Sequence, residues 1–207
     1  MTITPEIFLS FCVLAIVFIG PFLKKSGYLI IGYLSLISII AAQFLVLRDI
    51  FHFEEIFNNF FIVDSFGSFM KSLLLIGTGI ILYMYLVIDK NESIKKIEFP
   101  ILILLSLIGM MLMVSSNDIL SLFVSIELQS LALYILVAFS KNEKNSSEAG
   151  VKYFVIGSLS TCIFLFGASL IYGFFGTTNF IEISKILREN SKAKIIGITG
   201  SCGKTSL

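Results

Sequence analysis

The sequence predicts an all-α integral membrane protein, a bundle of about six transmembrane helices, and three observations carry that prediction. First, 57% of the 207 residues are hydrophobic and only 14% are charged, with a mean hydropathy of +0.97, where a soluble domain carries about 25% charged residues. Second, there are six apolar runs near the length of about 20 residues that a bilayer requires. Third, the lysines collect in alternate connections between those runs.

The runs are residues 7–23, 28–47, 66–88, 99–114, 119–139 and 153–175. They are apolar on all sides and show no strand-like alternation. In lipid an open sheet would leave its backbone groups unpaired, so helices are the consistent assignment. The fourth run is the shortest. Ser115 and Ser116 extend it, and either Asn117 or Asp118 is placed to cap the fifth helix.

Orientation follows from lysine and arginine in short loops, which accumulate on the cytoplasmic side. Lys24 and Lys25 join the first two runs, Lys90, Lys95 and Lys96 the third and fourth, and Lys141, Lys144 and Lys152 the fifth and sixth. The opposite connections hold Arg48 among Asp49, Glu54, Glu55 and Asp64, and then Asn117 with Asp118. The N-terminus is therefore expected to face away from the cytoplasm. The beginning, MTITPEIF, lacks the basic stretch and cleavage site of a signal peptide and reads as a retained first helix.

Composition removes several function classes. A net charge of +1, with basic residues confined to connections and tail, gives no sign of nucleic-acid binding. Cys12, Cys162 and Cys202 have neither paired spacing nor a neighbouring histidine, so neither a disulfide framework nor a metal site is expected. His52, the sole histidine, reads as a surface or packing residue.

The chemistry-bearing residue is Glu127. It lies about eight residues into the fifth helix, roughly 12 Å along its axis and near mid-membrane. A charge there costs about 2.5 to 3.5 kcal/mol on insertion scales, so it needs a buried partner, a hydrated cavity or protonation. Such a group can load and release a proton as its surroundings change. Ser130 and Tyr134 fall on the same helix face, at i+3 and i+7, and can supply hydroxyls to a proton path. Ser121, Ser125 and Gln129 form a second stripe that suits helix packing. The alternative for Glu127 itself is a static interhelical hydrogen bond.

Other polar positions have blander explanations. Lys71 is near the start of the third run, where its ammonium is expected to snorkel to the interface. Lys152 reads as an orientation signal. Gly157 with Thr161, and the cluster Gly77-Thr78-Gly79, suit close helix approach.

The stretch Ser116-Asn-Asp-Ile-Leu-Ser-Leu-Phe-Val-Ser-Ile-Glu127-Leu-Gln-Ser-Leu-Ala-Leu-Tyr134-Ile-Leu-Val-Ala-Phe139 resembles the glutamate-bearing fifth helix of the antiporter-like membrane subunits of respiratory complex I. Val63-Asp64-Ser65-Phe66, Lys152-Tyr-Phe-Val-Ile-Gly157 and Tyr172-Gly-Phe-Phe-Gly-Thr-Thr-Asn179 support it, and the resemblance covers residues 1–187. It implies the N-terminal half of an antiporter-like fold, and a proton-translocating but non-catalytic subunit of NADH-quinone oxidoreductase. Glu127 takes the position of the family's fifth-helix glutamate. The family's lysine on a broken seventh helix has no counterpart here, so the chain alone is expected not to pump. No cofactor is expected on this chain; NADH, flavin, iron–sulfur clusters and quinone are implied for the parent complex. Implied partners are the other membrane subunits and the bilayer. The implied location is the bacterial inner membrane, with the mitochondrial inner membrane second. A structural membrane subunit without a proton path is the alternative.

Residues 188–207 form a separate tail. Residues 181–187 suit a short amphipathic turn, and Lys185, Arg188, Lys192, Lys194 and Lys204 lie on the side the other loops keep nearly free of basic residues. The end, Thr199-Gly200-Ser-Cys-Gly203-Lys204-Thr205, resembles the phosphate loop of the muramyl peptide ligases. That resemblance implies phosphate contacts from Gly200, Gly203 and Lys204 and magnesium at Thr205. Only two residues follow, so the helix and sheet that would hold the loop are lacking. A non-functional scrap joined by a frameshift or fusion is the expectation, and a fragment of an ATP-dependent ligase is the third alternative.

Overall fold

A computed structural model describes residues 5–23, 27–48, 54–56, 59–87, 96–140 and 143–190. Its elements are α1 (Pro5–Ile19), continued by a 3-10 turn (Gly20–Phe22), α2 (Gly27–Arg48), β1 (Glu54–Ile56), β2 (Phe61–Val63), α3 (Ser65–Val87), α4 (Glu98–Ser115), α5 (Ile119–Val137), α6 (Lys144–Phe175) and α7 (Phe180–Asn190). Six of these helices are long and apolar enough to cross a membrane, as the pattern of runs predicts. His52, Cys202 and the whole phosphate-loop stretch, with Gly200, Gly203, Lys204 and Thr205, lie outside the described residues.

Local chemistry sets the helix ends. Asp64 starts α3, its Oδ1 accepting from Gly67 N at 2.7 Å. Asp118, not Asn117, caps α5, accepting from Leu120 N at 2.7 Å. Gly176, at φ +70°, ends α6 in the left-handed conformation that favours glycine, and its N–H donates to Tyr172 O. α6 begins nine residues before the apolar run at 153, because the polar stretch from Lys144 continues the helix. An exposed Glu148–Lys152 pair at i, i+4 bridges that extension.

The core lies among α1, α2, α3 and α4, around Leu9, Ile31, Val46, Leu75, Leu82, Leu104, Leu107 and Met111. Half of the apolar window of α4 is buried against its neighbours, but only 6% of that of α6. α4 and α5 pack most closely. A methyl group on Gly109 would sit 2.6 Å from Gln129 N, and Ser125 and Ser121 turn inward to bond Ser121 O and Phe60 O. The Ser121, Ser125 and Gln129 stripe is thus packing surface. Close approach does not apply at Gly77 and Gly79: a methyl on Gly77 would meet nothing within 4 Å, and one on Gly79 only the Ile39 side chain at 3.8 Å.

The connections opposite the lysine-rich loops converge. β1 and β2 form an antiparallel hairpin that the run pattern does not predict; Asn59 turns it with a φ of 67°. Asn59 O accepts from Asn117 Nδ2 and Asn179 Nδ2, and Thr178 Oγ1 donates to the Asp118 carboxylate at 2.7 Å. Backbone bonds Asn117 N to Phe60 O, Ile119 N to Thr178 O and Phe180 N to Asn117 O complete the clasp. It places the α2–α3, α4–α5 and α6–α7 connections at one end, as the lysine pattern requires. Asn179 then caps α7, which is longer than the turn expected at residues 181–187.

Candidate functional site

Glu127 sits in the third turn of α5 beyond its cap and is half-buried. Thr161 of α6 reaches across to it, its Oγ1 donating to Glu127 Oε1 at 2.5 Å, with Gly157 O as a weaker acceptor at 3.2 Å. The carboxyl group thus accepts from a hydroxyl donor on a second helix.

The pair forms part of the wall of a cavity of about 280 Å³ between α5 and α6. Ser130 and Tyr134 line the same cavity from α5, and Tyr153, Gly157 and Ser160 from α6. The i+3 and i+7 spacing therefore gathers the expected residues. Neither of the two hydroxyls touches Glu127; the direct donor is Thr161. The volume is well above the roughly 10–15 Å³ of probe-occupied space that one water requires, and the hydroxyls among its mainly apolar walls give water partners.

Tyr134 is fixed by packing. Its ring meets Tyr153 edge-on at 5.0 Å and Phe154 at 5.6 Å. Gly157 makes room for its hydroxyl, since a methyl group there would overlap it. Phe123 and Phe164 stack at 6.0 Å and form another part of the wall. Gly157 thus serves the close approach its type suggests, whereas Thr161, assigned to the same packing role, carries the contact that matters. Its signal in the sequence is only its spacing of four from Gly157, which many packing pairs share.

Lys71 corrects a sequence expectation. It does not snorkel: it is 2% exposed and its Nζ lies 2.6 Å from Glu6 Oε1, itself on a residue 5% exposed. Glu6 starts α1 and Lys71 lies two turns into α3, so packing of these helices closes the pair before the ammonium can reach water. Beside it, Gln43 of α2 donates to Ser72 at 2.5 Å while its own Oε1 is buried without a partner. Among the described residues no three of His, Cys, Asp or Glu are grouped as metal ligands.

Fold and site together define a class: helical membrane proteins that carry a half-buried carboxyl group between two helices, beside a cavity with hydroxyls in its wall. Residues 116–202 match the family model described as NADH:quinone oxidoreductase/Mrp antiporter, transmembrane. The match runs through most of the tail. Over the matched residues the chain is similar to the antiporter-like membrane family. Its curated relatives include NADH-quinone oxidoreductase subunit N of Paramagnetospirillum magneticum, 40% identical over 89% of this chain and 38% of that protein. The subunit N of Pelagibacter ubique is 38% identical over 95% of this chain and 42% of that protein. The chain thus spans about two fifths of the length of these relatives. Among solved structures, a chain of respiratory complex I from Thermus thermophilus with bound aureothin superposes with a TM-score of 0.72 at 25% identity, over 84% of this chain and 38% of that one. A chain of the archaeal membrane-bound sulfane sulfur reductase shares the fold, at a TM-score of 0.67 and 20% identity over 91% of this chain and 40% of that one.

Proposed function

We propose that this chain is part of a proton-translocating membrane subunit of NADH-quinone oxidoreductase, which couples quinone reduction to proton transport, and that Glu127 is its proton-binding group. One observation carries the reading: a carboxyl group near mid-span lines a cavity together with the hydroxyls of Ser130 and Tyr134, and accepts a hydrogen bond from a hydroxyl of another helix. Ser130 and Tyr134 offer the next hydrogen-bonding stations along the same wall. Electron transfer from NADH through flavin and iron–sulfur clusters to quinone belongs, in this reading, to other subunits. This chain's partners in the reading are the other membrane subunits of the complex and the bilayer, in a bacterial inner membrane with the lysine-rich loops in the cytoplasm.

The Thr161 contact also fits the alternative, a static clasp between α5 and α6. Glu127→Gln separates the two, because glutamine still accepts from Thr161 but cannot lose a proton. With this chain assembled into the complex, the substitution should leave assembly intact and lower proton uptake linked to quinone reduction by about a hundredfold or more, the lower end expected when a proton-transferring group is lost. Full pumping by the assembled Glu127→Gln complex rejects the proton role and leaves the clasp.

A further inference from the structure

A second cleft opens between α4, α5 and α6 at the end where the lysine-rich connections lie, and it encloses about 570 Å³. Small-molecule sites typically hold about 300–1,000 Å³. Leu102, Ile135, Phe139, Val151 and Phe154 make its walls apolar. One positive and one negative residue also line it, Lys96 and Glu98, two residues apart where α4 begins.

Lys96 is held in place. Its carbonyl accepts from the Tyr85 hydroxyl at 3.2 Å, and its Nζ lies over the Phe139 ring, 5.1 Å from the centroid. Among the described residues neither Lys96 nor Glu98 takes part in an ion pair. An apolar slot lined also by a cation and an anion without an ion-pair partner among the described residues, at the start of a membrane-length helix, complements a lipid whose head carries both phosphate and ammonium. A purely anionic head would set its phosphate against Glu98.

We propose that this cleft binds one zwitterionic phospholipid, with its phosphate at Lys96, its ammonium at Glu98 and an acyl chain lying along the apolar walls toward Tyr134. Tyr134 lines both this cleft and the Glu127 cavity, so the end of the acyl chain would bound that cavity on the Lys96 side. Binding needs no proton exchange at Glu127, and the lipid site stands or falls separately from the proton reading.

The test is native mass spectrometry of the purified chain in detergent, titrated with palmitoyl-oleoyl phosphatidylethanolamine and, separately, with the matching phosphatidylglycerol. One phosphatidylethanolamine per chain should be retained, in preference to phosphatidylglycerol. Lys96→Gln should weaken retention about fivefold, the effect of about 1 kcal/mol for one basic residue at the membrane surface. Glu98→Gln should erase the preference between the two lipids. Val151→Trp, at an exposed position that tolerates a larger side chain, should fill the slot and abolish retention while helix content is unchanged. Equal retention of both lipids by the unsubstituted chain, undiminished retention by Val151→Trp, or no retained lipid at all would overturn the proposal.

Discussion

Lys71 and Glu6 show what a single residue's position in the sequence leaves open. Each lies within two turns of a helix end, where a charged group ordinarily reaches water, yet both are nearly fully buried against each other. Removing one partner leaves the other as an uncompensated charge in a low-dielectric interior, a loss of about 3–5 kcal/mol, whereas replacing both with apolar groups is often neutral. Glu6→Gln alone and Lys71→Met alone should each lower stability in a detergent unfolding titration by about that amount. The double variant Glu6→Leu with Lys71→Met should recover most of it. Additive losses in the double variant would mean that the two side chains contribute separately. Thr161 makes the same point for the candidate site: as a residue type it is unremarked packing material, and only its contact with Glu127 gives it a role.

At the level of elements, the start of α5 shows one side chain tying two helices together. Asp118 serves two elements at once, capping α5 through Leu120 N and anchoring the end of α6 through Thr178 Oγ1. It is 3% exposed, so its loss leaves buried donors unpaired. Asp118→Ala should destabilise the chain by about 2–4 kcal/mol, the sum of a lost cap and a broken buried bond. Thr178→Val should cost about 1–2 kcal/mol, because it keeps the cap. Equal effects of the two substitutions in the same unfolding titration would contradict the double role. The clasp also explains why short polar stretches interrupt an apolar chain at 116–118 and 177–179: they pair the backbone and side chains of three connections that would otherwise need water.

Across the whole molecule, burial is uneven. α4 lies against four other helices, α1, α2, α3 and α5, while α6 presents nearly all of its surface outward. Segments with fewer buried contacts open at lower free energy. Hydrogen exchange in detergent should therefore leave amides of α4 most protected and exchange α7 and the outer turns of α6 first. Equal protection of α4 and α6 would show that the bundle opens as one unit.

The number of spans, their approximate limits and their alternating orientation were legible because each is a local property. A membrane helix satisfies its backbone within itself, and its apolar length and flanking charges are written in consecutive residues. The same holds for Glu127, Ser130 and Tyr134, whose common face follows from helix periodicity alone. Contacts between distant segments were not legible. Thr161 stands 34 residues from Glu127, and the Glu6–Lys71 pair, the hairpin at Asn59 and the clasp at Asp118 likewise join separate elements. The sequence by itself determined which side chains enter the membrane and on which face of a helix they stand. Only the packing of one helix on another decided which of them meet, since a hydrogen bond or ion pair forms across a gap that no local pattern sets.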